Sequence, residues 1–176
     1  MIAVRPAGRG DARVLAEMRY AFRSEMAAPA EPAAAFIERA TRWLADRLER
    51  GAWTAWVAAA GEQPVGLVLV QMVEKVPNPV REPESLGYVS SLYVRPPWRG
   101  QGTGGRLLAT ALEFCRLGGV DTVVLWPSPR SIPLYARHGF RSRGEVMELR
   151  ESSPELRPEA RPLSPGLARR TNKLCR

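Results

Sequence analysis

The sequence predicts a mixed α/β domain built on one sheet, with at least one parallel strand pair. Three observations lead there. Strand-like and helix-like apolar periods alternate along the chain. "WTAWVAAA" and "PVGLVLVQMVEKV" face each other across the turn "GEQ" as an antiparallel hairpin. "LGYVSSLYV" and "DTVVLW" flank a helical pattern, and a strand–helix–strand crossover of this kind joins parallel strands.

The elements follow in order. "IAVRPA" reads as a first strand. Asp11 is placed to cap a helix whose apolar positions Val14, Leu15, Met18, Ala21 and Phe22 keep helical spacing. Residues 27–35, rich in Ala and Pro, read as a loop. A second amphipathic helix carries Phe36, Ile37, Ala40, Trp43, Leu44 and Leu48 on one stripe and ends at Gly51. After the hairpin, "PNPVREPES" is an extended connection, because each proline lacks a donor and restricts its predecessor. "LGYVSSLYV" is the next strand, and a helix follows with Leu107, Leu108, Ala111, Leu112 and Cys115 facing inward and Gly118–Gly119 as its stop. "DTVVLW" reads as a buried strand, "PSPRSIPLYARHG" as a short helix closed by Gly139, and "FRSRGEVMELR" as a last strand. Residues 1–149 are expected to form the domain, and the Pro/Arg-rich residues 150–176 a disordered tail.

Composition sets bounds on function. The 176 residues suit one domain with a real core. No run approaches the roughly 18 apolar residues of a membrane span, and the N-terminus lacks a signal-peptide h-region, so a cytoplasmic protein without a membrane partner is expected. One histidine and two cysteines, Cys115 and Cys175, argue against a metal site and for unpaired thiols. The net charge of +8 raises nucleic acid as a partner. Half of that excess lies in residues 150–176, with seven Lys/Arg against three Glu, and the rest is spread thinly, which favours a solvated surface instead. A homodimer stays open.

The informative stretch is "RGQGTGGRLL", residues 99–108, with four glycines in its first seven residues. Three readings fit the letters. Gly100 and Gly105 have the spacing of a phosphate-binding P-loop, but Arg106 and Leu107 stand where that loop needs Lys and Ser/Thr. Gly100, Gly102 and Gly105 spell a dinucleotide fingerprint, yet "RPPWR" separates them from the strand and no carboxylate follows at the ribose position. Arg99, Gly102 and Gly104 fit the pattern [RQ]xxGx[GA] of acetyl-CoA-dependent acyltransferases. In each case the physics is shared: glycines bring the unpartnered N–H groups of a helix start close to an anion.

The flanking residues decide. "LYVRPPWRGQGTGGRLL" resembles motif A of the GNAT superfamily of N-acetyltransferases, and "SIPLYARHGF" resembles its "LYxxxGF" segment with Tyr135 and Phe140 in register. Together they cover roughly residues 88–140; the first 87 residues match only in element order. The resemblance implies a mostly antiparallel central sheet with a splayed parallel strand pair and helices on both faces. It implies acetyl-CoA as cosubstrate, no metal, and a small-molecule or protein amine as acceptor, attacked directly in a ternary complex.

It also assigns residues. The turn of Gly100, Gln101, Gly102, Thr103 and Gly104, with Arg99 at its edge, would take the diphosphate. The backbone of Leu92, Tyr93 and Val94 would bond the pantetheine arm like an added strand, and Ser128 stands where many relatives carry Asn on that arm. Tyr135 matches the general acid that protonates the leaving thiol. No base is assigned: Glu74 and Glu84 lie near the expected mouth, and Ser90 and Ser91 could place a water. His138 reads as a helix-end residue, and Trp43, Trp53 and Trp56 as core.

For the acceptor, Glu74 and Trp126 are candidates beside the cleft, and Glu25 is the residue to watch. It lies on the apolar stripe, 7 positions after Met18, so its carboxylate either slips past the core to solvent or meets an ammonium group in the cleft. Two other classes are weighed: a GNAT-like module that holds an acyl-CoA without turnover, and a basic-tailed nucleic-acid or partner-binding protein.

Overall fold

The structure is a computed structural model, and it describes residues 2–142. The expected last strand falls largely outside these residues, as does the whole tail. The described elements are β1 (Ile2–Ala7), α1 (Ala12–Ser24), α2 (Ala33–Glu49), β2 (Thr54–Ala60), β3 (Gln63–Glu74), β4 (Ser85–Val94), α3 (Thr103–Leu117), β5 (Val123–Val124) and α4 (Ile132–Arg137). The strands form one sheet in the order β1-β2-β3-β4-β5. The first three pairings are antiparallel, and β4 with β5 is parallel.

Both faces of the sheet are covered, which explains why β2 and β3 read as continuous apolar runs rather than alternating ones. Trp56, Ala58, Val68 and Val70 point to one face, where they pack with Leu107, Leu108, Ala111 and Cys115 of α3. Ala55, Val57, Leu67 and Leu69 point to the other, against Leu15, Ala16 and Met18 of α1 and Leu44 of α2. A side chain as fully buried as Leu15, Leu107 or Leu108 stabilises the fold by about 1.5–3 kcal/mol. Among the described residues, no helix is long and apolar enough to cross a membrane.

β4 carries the irregularity that matters most. Ser90 opposes Leu69 and Tyr93 opposes Leu67, so Ser91 and Leu92 share the single opposite residue Val68. This is a β-bulge, and Ser91 takes the left-handed backbone at φ 55°. One extra residue reverses the facing of all that follow. Val89 therefore packs on the α3 face, whereas Tyr93, of the same parity, packs on the α1 face.

Three expectations need correction. β5 pairs only through Val123 and Val124, which face Gly87 and Tyr88, rather than through all of "DTVVLW", and both valines are half-buried. Leu125 and Trp126 leave the sheet because β4 and β5 part beyond Tyr88. Asp11 does not cap α1 with its side chain. Its carboxylate instead accepts the Gly8 N–H at 2.9 Å and pairs with Arg5 at 2.6 Å, closing the turn before the helix. Trp43 is 43% exposed, covered on one side by Trp53 with ring centroids 5.8 Å apart and on another by the Arg47 guanidinium.

Candidate active site

The splay between β4 and the chain after β5 opens a cleft of about 190 Å³. Its floor is the second half of β4. One wall comes from α1 through Arg19, Phe22 and Arg23, and the other from Trp126, Ser128, Arg130 and Tyr135.

At the end of β4 the chain makes the glycine turn. Gly100 and Gly102 both have φ 75°, and Gly102 is the residue on which α3 begins. An L side chain is strained in that backbone region, so glycine is required there for conformation alone. A Cβ at either position would meet no protein atom within 4 Å, so the space in front of the turn is open to an approaching group. The helical ladder starts with Arg106 N–H on Gly102 C=O at 3.1 Å. The N–H groups before it lack intrahelical acceptors, and the helix dipole is positive at this end. Thr103 is only 1% exposed, and its hydroxyl has no hydrogen-bond partner among the described residues. The open turn with its unpartnered N–H groups fits a diphosphate. Gly104 is set against Leu134 of α4, and the Gln101 amide donates to Pro97 C=O at 3.3 Å.

Arg99 is not directed into open solvent beside this turn. Its Nε donates to Val94 C=O at 2.8 Å, and its Nη2 reaches both oxygens of Glu25 at 2.7 and 2.8 Å. Glu25 is thus neither loose in solvent nor available to an ammonium group alone. It also accepts from the Tyr93 hydroxyl at 2.9 Å and from Arg130 at 3.0 Å. Glu25 is the C-cap of α1, where the helix dipole disfavours a carboxylate. Two guanidinium groups offset that cost. Burial pushes the Glu25 carboxyl up, but hydrogen bonds from Arg99, Tyr93 and Arg130 outweigh it and hold the group below the usual glutamate range. Burial, and then the bond to Glu25, push the Tyr93 hydroxyl above its ordinary value.

Tyr135 is buried on the α3 side of the cleft, edge-on to Phe140 with ring centroids 5.6 Å apart. Burial raises its pKa, so the hydroxyl holds its proton throughout the neutral range. Among the described residues that hydroxyl has no hydrogen-bond partner, which leaves it free to donate. Ser128 shares a hydrogen bond with Ser131 at 3.0 Å in the turn leading to α4. Trp126 is 61% exposed and stands edge-on to Tyr88, 5.2 Å between centroids.

The structure thus brings Leu92, Tyr93, Val94, Ser128, Trp126 and Tyr135 to one cleft, with Glu25 lining an adjoining hollow. It does not bring Glu74 there: that residue is exposed at the far end of β3, opposite Ser85. His138 ends α4 with Nδ1 at 2.9 Å from Leu134 C=O. The cleft also contains residues that sequence reasoning passed over, namely Arg19, Arg23 and Arg130. For the first two a signal existed. Positions 12, 15, 16, 19 and 23 follow one helical stripe, so two arginines interrupt a stripe that otherwise enters the core.

The fold and site define a mixed α/β protein with a cleft between splayed parallel strands and a glycine turn at a helix start. The model of the acetyltransferase (GNAT) family matches residues 16–140. The chain belongs to that family. Among curated relatives, glucosamine 6-phosphate N-acetyltransferase of Trypanosoma brucei brucei is 31% identical over 88 residues, which is 49% of this chain and 60% of that protein. N-acetyltransferase 8B of Rattus norvegicus is 36% identical over 93 residues, 51% of this chain and 40% of that one. The chain therefore matches less than two thirds of the length of either. Among solved structures, a GCN5-related N-acetyltransferase from Ralstonia eutropha JMP134 superposes with a TM-score of 0.73 at 28% identity, covering 85% of this chain and 98% of that one. A structure described as a predicted acetyltransferase with acetyl-CoA, from Clostridium acetobutylicum, shares the fold with a TM-score of 0.74 at 21% identity, covering 85% and 96%.

Proposed function

We propose that this protein transfers the acetyl group of acetyl-CoA to an amine by direct attack in a ternary complex. What supports the reading is a glycine turn with open space before it at the start of α3, a cleft floored by the second half of β4, and in its wall a protonated tyrosine without a hydrogen-bond partner among the described residues. In such a reaction the cosubstrate supplies an activated acetyl thioester, an N–C bond forms as the C–S bond breaks, nitrogen loses a proton and sulfur gains one.

Each part of the chain then has a role. The backbone N–H groups of residues 100–104 hold the diphosphate, with Arg99 at the edge of the turn. The main chain of Leu92, Tyr93 and Val94, which has no β5 partner among the described residues, bonds the pantetheine arm, and Ser128 lies across from it. Tyr135 holds the proton destined for sulfur. No carboxylate lines the cleft itself among the described residues. The nitrogen's proton is therefore assigned to water, placed by Ser90 and Ser91, whose hydroxyls lie 3.4 Å apart.

The acceptor is a small-molecule or protein amine, and the reaction takes place in the cytoplasm. The test is thiol release from acetyl-CoA with pools of amines. Amine-dependent release is expected. Binding of acetyl-CoA without release in any pool would instead favour a module that holds the thioester without turnover.

A further inference from the structure

Arg19 and Arg23 lie one turn apart on α1, and both line the cleft. The Arg19 Nη1 donates to the Ser91 hydroxyl at 2.9 Å, which sets its guanidinium at the β4 bulge. Burial, and then the charge of Arg23, push the Arg19 pKa below its ordinary value. The other arginines of α1 and α2 behave differently. Arg13, Arg39, Arg42 and Arg47 each have a carboxylate partner, with Glu17, Glu31, Glu38 and Asp46. Among the described residues, Arg19 and Arg23 have none. The nearby carboxylate of Glu25 is already shared by Arg99 and Arg130.

A partly buried guanidinium beside a second, exposed one, with no carboxylate on either, is a place where an anion is favoured. Their side of the sheet indicates whose anion it is. Tyr135 belongs to the core on the α3 face, whereas α1 covers the opposite face. If Tyr135 meets the leaving sulfur, the attacking amine comes from the α1 side, past the two arginines. We propose that the acceptor is an amine that also carries an anionic group, a carboxylate or a phosphate, held by Arg19 and Arg23. This rests on the acetyl-transfer reading above. Planar guanidinium forks suit either anion, through paired charge-assisted hydrogen bonds. The coenzyme's own phosphates have a separate site at the glycine turn.

The experiment uses matched amines that differ only in the anion: amino acids against their amides, and aminoalkyl phosphates against the corresponding amino alcohols. Two readouts run in parallel, thiol release and the thermal shift of the acetyl-CoA-loaded protein. The anionic member of a pair is expected to react and to stabilise, and whether carboxylates or phosphates do so identifies the group. Arg23→Gln, at an exposed position, should raise KM for that amine at least about tenfold, as the loss of one charge-assisted bond implies, with the Kd of acetyl-CoA unchanged. Arg19→Gln should do the same, and a circular dichroism spectrum checks its fold. Preference for neutral or cationic amines, or unchanged discrimination in both variants, would overturn the inference while leaving acetyl transfer intact. Weaker acetyl-CoA binding in the variants would also overturn it, by assigning the arginines to the cosubstrate. If no amine reacts, the transfer reading fails, and the thermal shift decides alone: arginine-dependent stabilisation by the anionic members supports an anion site, and its absence removes it.

Discussion

Replacing Tyr135 by phenylalanine removes one oxygen and tests what that oxygen does. The ring packs against Phe140 and would be kept, and among the described residues the hydroxyl has no hydrogen bond to lose. Stability should therefore change by less than about 0.5 kcal/mol. In a protein of this size that is a melting shift of only about 1–2 °C. Turnover should change far more. Burial keeps the hydroxyl protonated at neutral pH, so the parent enters each cycle with its donor ready. Loss of a positioned proton donor lowers turnover by about 10²–10⁴-fold, or roughly 2.7–5.5 kcal/mol of barrier. In the proposed reaction the partner is the departing sulfur, which becomes basic only as the C–S bond breaks, so the loss should fall in kcat rather than in binding. The assay is thiol release at saturating amine, paired with calorimetric titration of acetyl-CoA. Turnover at the parent rate would make Tyr135 a packing residue. An equal loss of acetyl-CoA affinity would make it an anchor, and the division of labour between glycine turn and tyrosine would be wrong.

Three further substitutions probe the frame of the site. Glu25→Gln removes the charge shared by Arg99 and Arg130 and should destabilise by about 1 kcal/mol at neutral pH, a modest figure because solvent reaches the pair. Since folding lowers the Glu25 pKa, that contribution is complete above the ordinary glutamate value and lost as pH falls through the lowered one; the melting difference from the parent should close in acid, and a constant difference would refute the pairing. Gly102→Val places a β-branched residue at φ 75°, at a strain of about 1–3 kcal/mol, and should weaken acetyl-CoA binding at least about tenfold by calorimetry. Gly66→Ala would bring a Cβ to 2.9 Å from the Tyr93 carbonyl oxygen and 3.1 Å from Leu107 Cδ1. It should lower stability by about 1–3 kcal/mol in a denaturant titration, through displacement of β4.

Much of the frame was legible because it rests on local periods. The stripes of α1 and α3, the hairpin and the glycine turn each follow from spacing and backbone chemistry within a short window. What escaped depends on residues far apart in the chain. Nothing in "YVSSLYV" marks Ser91 as the bulged residue, because no glycine stands there to show the left-handed backbone. Yet that bulge turns Tyr93 toward α1 and sets it on Glu25, 68 residues earlier. The Glu25–Arg99–Arg130 cluster joins a helix end, a turn and the segment before α4, so no spacing rule reports it. Asp11 misled for a local reason: Arg5 and the Gly8 N–H compete for its oxygens, and they win over the N–H groups of α1. The splay of β5 was implied by family resemblance, whereas the residues alone suggested a longer strand.

Calorimetric titration tests whether the turn at residues 100–104 and the β4 cleft are built for coenzyme A. Acetyl-CoA and coenzyme A should each bind saturably at one site per chain. NADH and ATP, which carry phosphates but no pantetheine arm to pair with β4, should bind far more weakly. Absence of saturable acetyl-CoA binding, or equal binding of NADH, would contradict the account.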